Sequence, residues 1–239
     1  MTDQSYKVHT LDLGPMDNLV YLIEDIKTKN CAVVDPAWDV PAIIKAAEKN
    51  DLNIDQILLT HAHHDHINGI EELLEYTECH VHLMKAEHDF WQLDFKPSKL
   101  HHGGDVIQLG NTEIKALHTP GHSAGSACYE FGNELITGDT LFVYGCGHCK
   151  LAGADPEMLY GTLKNMKENL DPNRIILPGH HYADEKTCTM NQQIEGNPFL
   201  QFDTQAGFII YREHVHDETR TYPYQPMNKQ QMRVADLLK

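Results

Sequence analysis

"LLTHAHHDHINGI", residues 58–70, is the stretch on which the rest of this sequence turns. An apolar run reaches Leu59, and four histidines and an aspartate follow within the six positions from His61 to His66. Such a stretch is either a solvated polar loop at the end of a strand or a set of metal ligands. A lone histidine is usually a hydrogen-bonded polar residue and nothing more. The pattern His-x-His-x-Asp-His arises by chance in a chain of this composition on the order of one time in a hundred, so the bland reading holds only if the cluster stands alone.

It does not stand alone. His122 follows in "HTPGHSAG", Asp139 in "ELITGDTLF" and His180 in "IILPGHHYAD". Each comes after an apolar run and beside a glycine, which is expected where a strand ends and a loop begins. Sites in α/β folds gather at such carboxyl ends. Neutral imidazoles with two carboxylates suit zinc, iron or manganese better than calcium. These donors are too many for one tetrahedral ion and suit two, with a carboxylate between them.

The 239 residues are ordinary for one large α/β domain, and a hydrophobic share of 41% supplies a real core. No apolar run approaches the roughly 20 residues that span a bilayer. The opening "MTDQSYKVHT" lacks the basic and apolar regions of a secretory leader. A soluble, cytoplasmic protein with no membrane partner is therefore expected. A net charge of -16 argues against nucleic acid as a partner. The six cysteines are scattered, and only Cys146 and Cys149 form a C-x-x-C pair, so a disulfide framework is not expected.

Outward from the cluster the chain reads as strands feeding helices. "YKVHTLDL", "NLVYLIED", "NCAVV" and "IDQILLT" read as strands, and "VPAIIKAAEKN" and "INGIEELLEY" as helices. "CHVHLM", "DVIQL", "TEIKALH", "SACYEF" and "ELITG" are further strands. "DPEMLYGTLKNMKENL" is a helix with Asp155 at its N-cap, "NRIILPG" a strand, and "EKTCTMNQQIEG" and "QAGFIIYREHVHDET" are helices. The fold class expected is α/β, a four-layer αββα sandwich. Residues 1–200 are expected to form the catalytic domain and residues 201–239 a C-terminal extension. "FIIYREHV" has apolar spacing for a helix that packs either on its own domain or at a homodimer interface.

"THAHHDH" followed in order by "PGHS", "GDTLF" and "PGHHY" resembles the metallo-β-lactamase superfamily over roughly residues 8 to 200. By that resemblance His61, His63 and His122 hold one metal, Asp65, His66 and His180 hold a second, and Asp139 bridges them. Asp35 in "VVDP" supports the metal loop from behind, while His64 and His181 are not ligands. The implied cofactors are two divalent ions, zinc first, with iron or manganese as alternatives. They activate a bridging hydroxide for hydrolysis, with Asp65 and Asp139 as the catalytic carboxylates.

"GDTLFVYGCG", "SACYEF", "PGHHY" and "NPFL" are similar to glyoxalase II and its shorter relatives. That implies a thioesterase acting on a small-molecule acyl-thiol, either acyl-glutathione or another carrier. Where glyoxalase II has a lysine and an aromatic after "GCG", this chain has His148, Cys149 and Lys150. Lys150, Tyr182 and His148 are accordingly the candidate substrate contacts. The alternatives on the same fold are a mononuclear iron persulfide dioxygenase, whose Arg-Thr-Asp triplet is missing here, and a lactonase or other ester hydrolase.

Overall fold

The structure is a computed structural model describing residues 5–238. Residues 1–4, which belong to the stretch read for a leader, and residue 239, the end of the tail, lie outside the described residues. The chain forms two compact units, one running to His118 with Tyr129–Phe131 added, the other made of Thr119–Cys128 and the chain from Gly132 onward.

The first unit opens with strands β1 (Tyr6–Leu13), β2 (Asn18–Asp25) and β3 (Asn30–Val34), paired antiparallel. Helix α1 (Val40–Lys49) then returns the chain to β4 (Asn53–Leu58). Helices α2 (His64–Ile67) and α3 (Ile70–Tyr76) lead to β5 (His80–Met84), and α4 (Lys85–Phe90) leads to β6 (Lys99–His101). The pairings β3–β4, β4–β5 and β5–β6 are parallel, which is why each needs a crossover segment. The sheet order is β1-β2-β3-β4-β5-β6.

One face of this sheet buries Val20, Leu22, Val33, Ile57, Leu59, Val81 and Leu83 against Val40 and Ile43 of α1 and Ile70 and Leu73 of α3. The other face meets β7 (Val106–Leu109), β8 (Thr112–His118) and residues 129–131. There Asp25 accepts from Thr112 Oγ1 at 2.9 Å, Gln56 Nε2 donates to the Gln108 carbonyl at 2.8 Å, and Tyr129 OH donates to the Leu59 carbonyl at 2.8 Å. Every residue of β2 is buried, as a strand covered on both faces requires.

The second unit holds most of β9 to β12 of the other sheet, whose order is β12-β11-β10-β9-β8-β7. Its elements are the first two residues of β9 (Ala127–Phe131), then β10 (Glu134–Gly138), α5 (Pro156–Asn169), β11 (Ile175–Pro178) and β12 (Cys188–Thr189). α6 (Met190–Gly196), α7 (Gln205–Ile210), α8 (His216–Thr219) and α9 (Lys229–Leu238) complete it. β10 and β11 run parallel across α5, which begins where the Asp155 carboxylate accepts from the Glu157 and Met158 amides. Leu159, Leu163 and Met166 form the buried stripe of α5.

The stretch "EKTCTMNQQIEG" differs from its sequence reading. It opens with a bend, pairs with β11 as β12, and becomes helical only at Met190, where Thr189 and Gln192 form a reciprocal cap. In the tail, α7, one π-helical turn (Tyr211–Val215) and α8 are continuous. Phe199 packs there against Phe208, Tyr211 and His216. Among the described residues no helix is long and apolar enough to cross a membrane. The six cysteines are all free, and burial raises the Cys146 thiol to about 12.

Candidate metal centre

In the first unit the chain leaves β4 and places His61, His63 and His66 in buried positions, with His64 exposed. The ring of His61 lies 4.6 Å from that of His63 and 4.2 Å from that of His66. Asp35, at the end of β3, organises two of them. Its carboxylate accepts from the Thr60 amide at 2.7 Å, the Thr60 hydroxyl at 2.6 Å and His66 Nδ1 at 3.0 Å. The Thr60 hydroxyl, having given its proton to Asp35, accepts from His61 Nδ1 at 3.0 Å. Both imidazoles therefore carry their proton on Nδ1 and present the lone pair of Nε2.

His66 Nε2 lies 3.4 Å from Asp65 Oδ2. That is beyond the roughly 2.7–3.2 Å of a normal hydrogen bond. It equals the separation, about 3.4 Å, of two donor atoms bound to one tetrahedral zinc-sized ion. The donors Asp35, His61 and His66 also offer atoms within 4.8 Å of one another. Thr60 and His66 together occupy both Asp35 oxygens, so this carboxylate is engaged in orienting the two imidazoles.

In the second unit, parallel strands deliver the next donors together. The Gly179 amide donates to the Gly138 carbonyl at 2.8 Å, so Asp139 and His180 emerge side by side from β10 and β11. His180 Nε2 lies 3.4 Å from Asp139 Oδ1, and His122 Nε2 lies 3.4 Å from Asp139 Oδ2. His122 donates from Nδ1 to the His148 carbonyl at 2.8 Å, which again leaves Nε2 as the lone-pair atom. Gly147 makes this approach feasible, since a Cβ there would overlap both the His122 ring and the Asp139 carbonyl. The ring of Tyr182 stacks on His180 at 4.7 Å with an interplanar angle of 9°.

The remaining predicted residues fall in several places. His64 turns an edge toward Trp38 at 6.3 Å. Lys150 does not reach outward alone, for its ammonium is bound to Asp217 at 2.6 Å. His148 contributes its carbonyl to His122, and burial lowers the pKa of its ring, with Asp139 opposing. Sequence reasoning passed over Glu87, which is fully buried and accepts from the Ala62 amide at 2.9 Å, holding the turn between His61 and His63. It also passed over Asn18, which donates to Asp65, and Trp91, whose ring lies 5.9 Å from His63. No local pattern in the chain marks these three.

The sequence model described as "Metallo-beta-lactamase superfamily" matches residues 13–180. The protein named "Probable polyketide biosynthesis zinc-dependent hydrolase PksB" from Bacillus subtilis is 30% identical over 210 residues, covering 87% of this chain and 93% of that protein. A hydroxyacylglutathione hydrolase from Cereibacter sphaeroides is 30% identical over 229 residues, covering 92% and 87%. The crystal structure of ETHE1 from Myxococcus xanthus superposes with a TM-score of 0.79 at 24% identity, covering 88% of this chain and 91% of that one. The likeness to that structure establishes the fold: the α/β sandwich read from the sequence is that of this superfamily.

Proposed function

This chain belongs to the metallo-beta-lactamase superfamily, and we propose that within it the protein is a metal-dependent hydrolase of acyl-thiols. By the order of the motifs in the sequence, His61, His63 and His122 would serve one ion, Asp65, His66 and His180 a second, and Asp139 both. One observation carries the two-ion reading: the two oxygens of Asp139 face different imidazoles, each at 3.4 Å, an arrangement that a carboxylate shared by two ions fits. The matching 3.4 Å pair of Asp65 and His66 supports the second ion. Zinc is the metal we favour, in line with the name of the Bacillus subtilis relative.

When bound, two such ions would supply Lewis acidity, to activate water near neutral pH and to polarise a carbonyl. The chain's own residues do the rest. Asp35 and the His148 carbonyl fix three imidazoles in the tautomer that offers Nε2. Tyr182, stacked on His180, is the aromatic candidate for contact with the reacting end of a substrate. A thiol leaving group, with a pKa near 8.5, departs without a dedicated acid. Lys150 and His148 are the further candidate contacts, Lys150 acting from its pair with Asp217.

Both curated relatives are named as hydrolases, and one acts on a glutathione conjugate by its name. We read residues 1–200 as the catalytic domain and 201–239 as its extension. We place the enzyme in the cytoplasm with a small-molecule substrate and no nucleic-acid partner. Turnover of acyl-glutathione, acyl-coenzyme and acyl-carrier thioesters by the zinc-loaded protein tests the reading. Thioester hydrolysis well above lactone hydrolysis supports it. Oxygen uptake on glutathione persulfide by a one-iron form would contradict it.

A further inference from the structure

We infer that Asn18, itself held by Trp38, is a positioning residue for Asp65. The inference rests on the reading of Asp65 and His66 as ligands of one ion. Asn18 opens β2, is 2% exposed, and spends both hydrogens of its carboxamide on a single residue. Nδ2 donates to the Asp65 carbonyl at 3.0 Å and to Asp65 Oδ2 at 3.1 Å. Its Oδ1 accepts from the indole Nε1 of Trp38 at 2.8 Å.

These partners leave the amide one orientation. Flipped, it would set its oxygen against two acceptors and its NH2 against an N–H donor. Asp65 is thereby pinned at main chain and side chain together, so its carboxylate cannot swing. The pinned oxygen is the one 3.4 Å from His66 Nε2. A carboxylate oxygen has two lone pairs, one for the Asn18 N–H and one for a metal. Asn18 thus fixes the spacing that two ligands of one ion require.

Trp38 is equally constrained. Its backbone is left-handed, with φ of 65°, and its amide donates to Asn68 Oδ1 at 2.7 Å. The indole lies against Gly14, where any Cβ would overlap it. The segment from Asp35 to Trp38 therefore grips the metal loop twice: Asp35 holds His66 directly, and Trp38 holds Asp65 through Asn18.

The test is a competition titration of zinc against a chromophoric chelator, with elemental analysis and unfolding of the metal-stripped protein. Wild type, Asn18→Ala and Trp38→Phe are compared. Asn18→Ala should weaken one of the two ions by about 10- to 100-fold, the range for lost outer partners of a ligand. The other ion should keep its affinity. Trp38→Phe, which keeps the ring against Gly14 and loses only the indole N–H, should weaken the same ion by less than about 10-fold. A structural role alone would weaken both ions alike or lower only the stability of the stripped protein, and either result overturns the inference. Two ions in wild type with unchanged affinities in both variants overturns the inference and leaves the two-ion reading standing. Fewer than two ions in wild type overturns the two-ion reading itself, before any variant is compared.

Discussion

Asp35 accepts from His66 Nδ1 at 3.0 Å, across 31 residues of chain, with the same oxygen that takes the Thr60 hydroxyl. One buried carboxylate thereby sets the tautomers of two imidazoles. Asp35→Asn should weaken metal binding by about 10- to 100-fold, because an amide cannot accept from all three donors. The exchange is a clean probe, since Asp35 has a φ of 52° and asparagine tolerates that left-handed conformation. Chelator competition checks it, and unchanged affinity would count against the orienting role.

Asp139→Ala should lower metal content and thioester turnover together. Removing the carboxylate that faces both His122 and His180 leaves two like-charged ions uncompensated. Full occupancy with full activity would rule out a shared ligand.

His180→Ala should release mainly one of the two ions, since His180 faces a single oxygen of Asp139. Elemental analysis reads the change directly. A stoichiometry equal to that of wild type would remove His180 from the ligand set.

The gathering of His61, His63 and His66 was legible because they cluster at the end of one strand, and the positions of His122, Asp139 and His180 at strand ends because each follows an apolar run beside a glycine. The strands from β1 to β5 and the cap of α5 were legible from alternation and from Asp155. What was hidden acts through space. Asn18 and Asp65 are 47 positions apart, Glu87 and Ala62 are 25 apart, and Lys150 and Asp217 are 67 apart. The three-residue β6 and the two-residue β12 are too short to carry a period, and their pairing partners create them. Helix α9, "KQQMRVADLL", buries only Gln231 and Ala235, so it shows no broad apolar stripe.

The metal-stripped protein should lose stability on acidification through His82. This residue is 6% exposed, and its Nδ1 lies 2.8 Å from His101 Nε2. Burial first, then His101, His80 and Lys99, push its pKa down to about 3. The unfolded chain takes up the proton near pH 6.5 while the folded chain does not, so stability is full above that pH and falls below it. Between pH 6.5 and 5 the loss from His82 is about 2 kcal/mol. Urea unfolding of His82→Gln at both pH values should lack that share, and an identical slope would refute the assignment.

Seven side chains that hold two divalent ions, with Asp139 shared, would give the protein a fixed metal stoichiometry. Elemental analysis of protein purified without added metal tests it most directly. Two ions per chain are expected, zinc foremost, both released on mild acidification. One ion per chain or none, or two ions retained well below about pH 6.5, would contradict it.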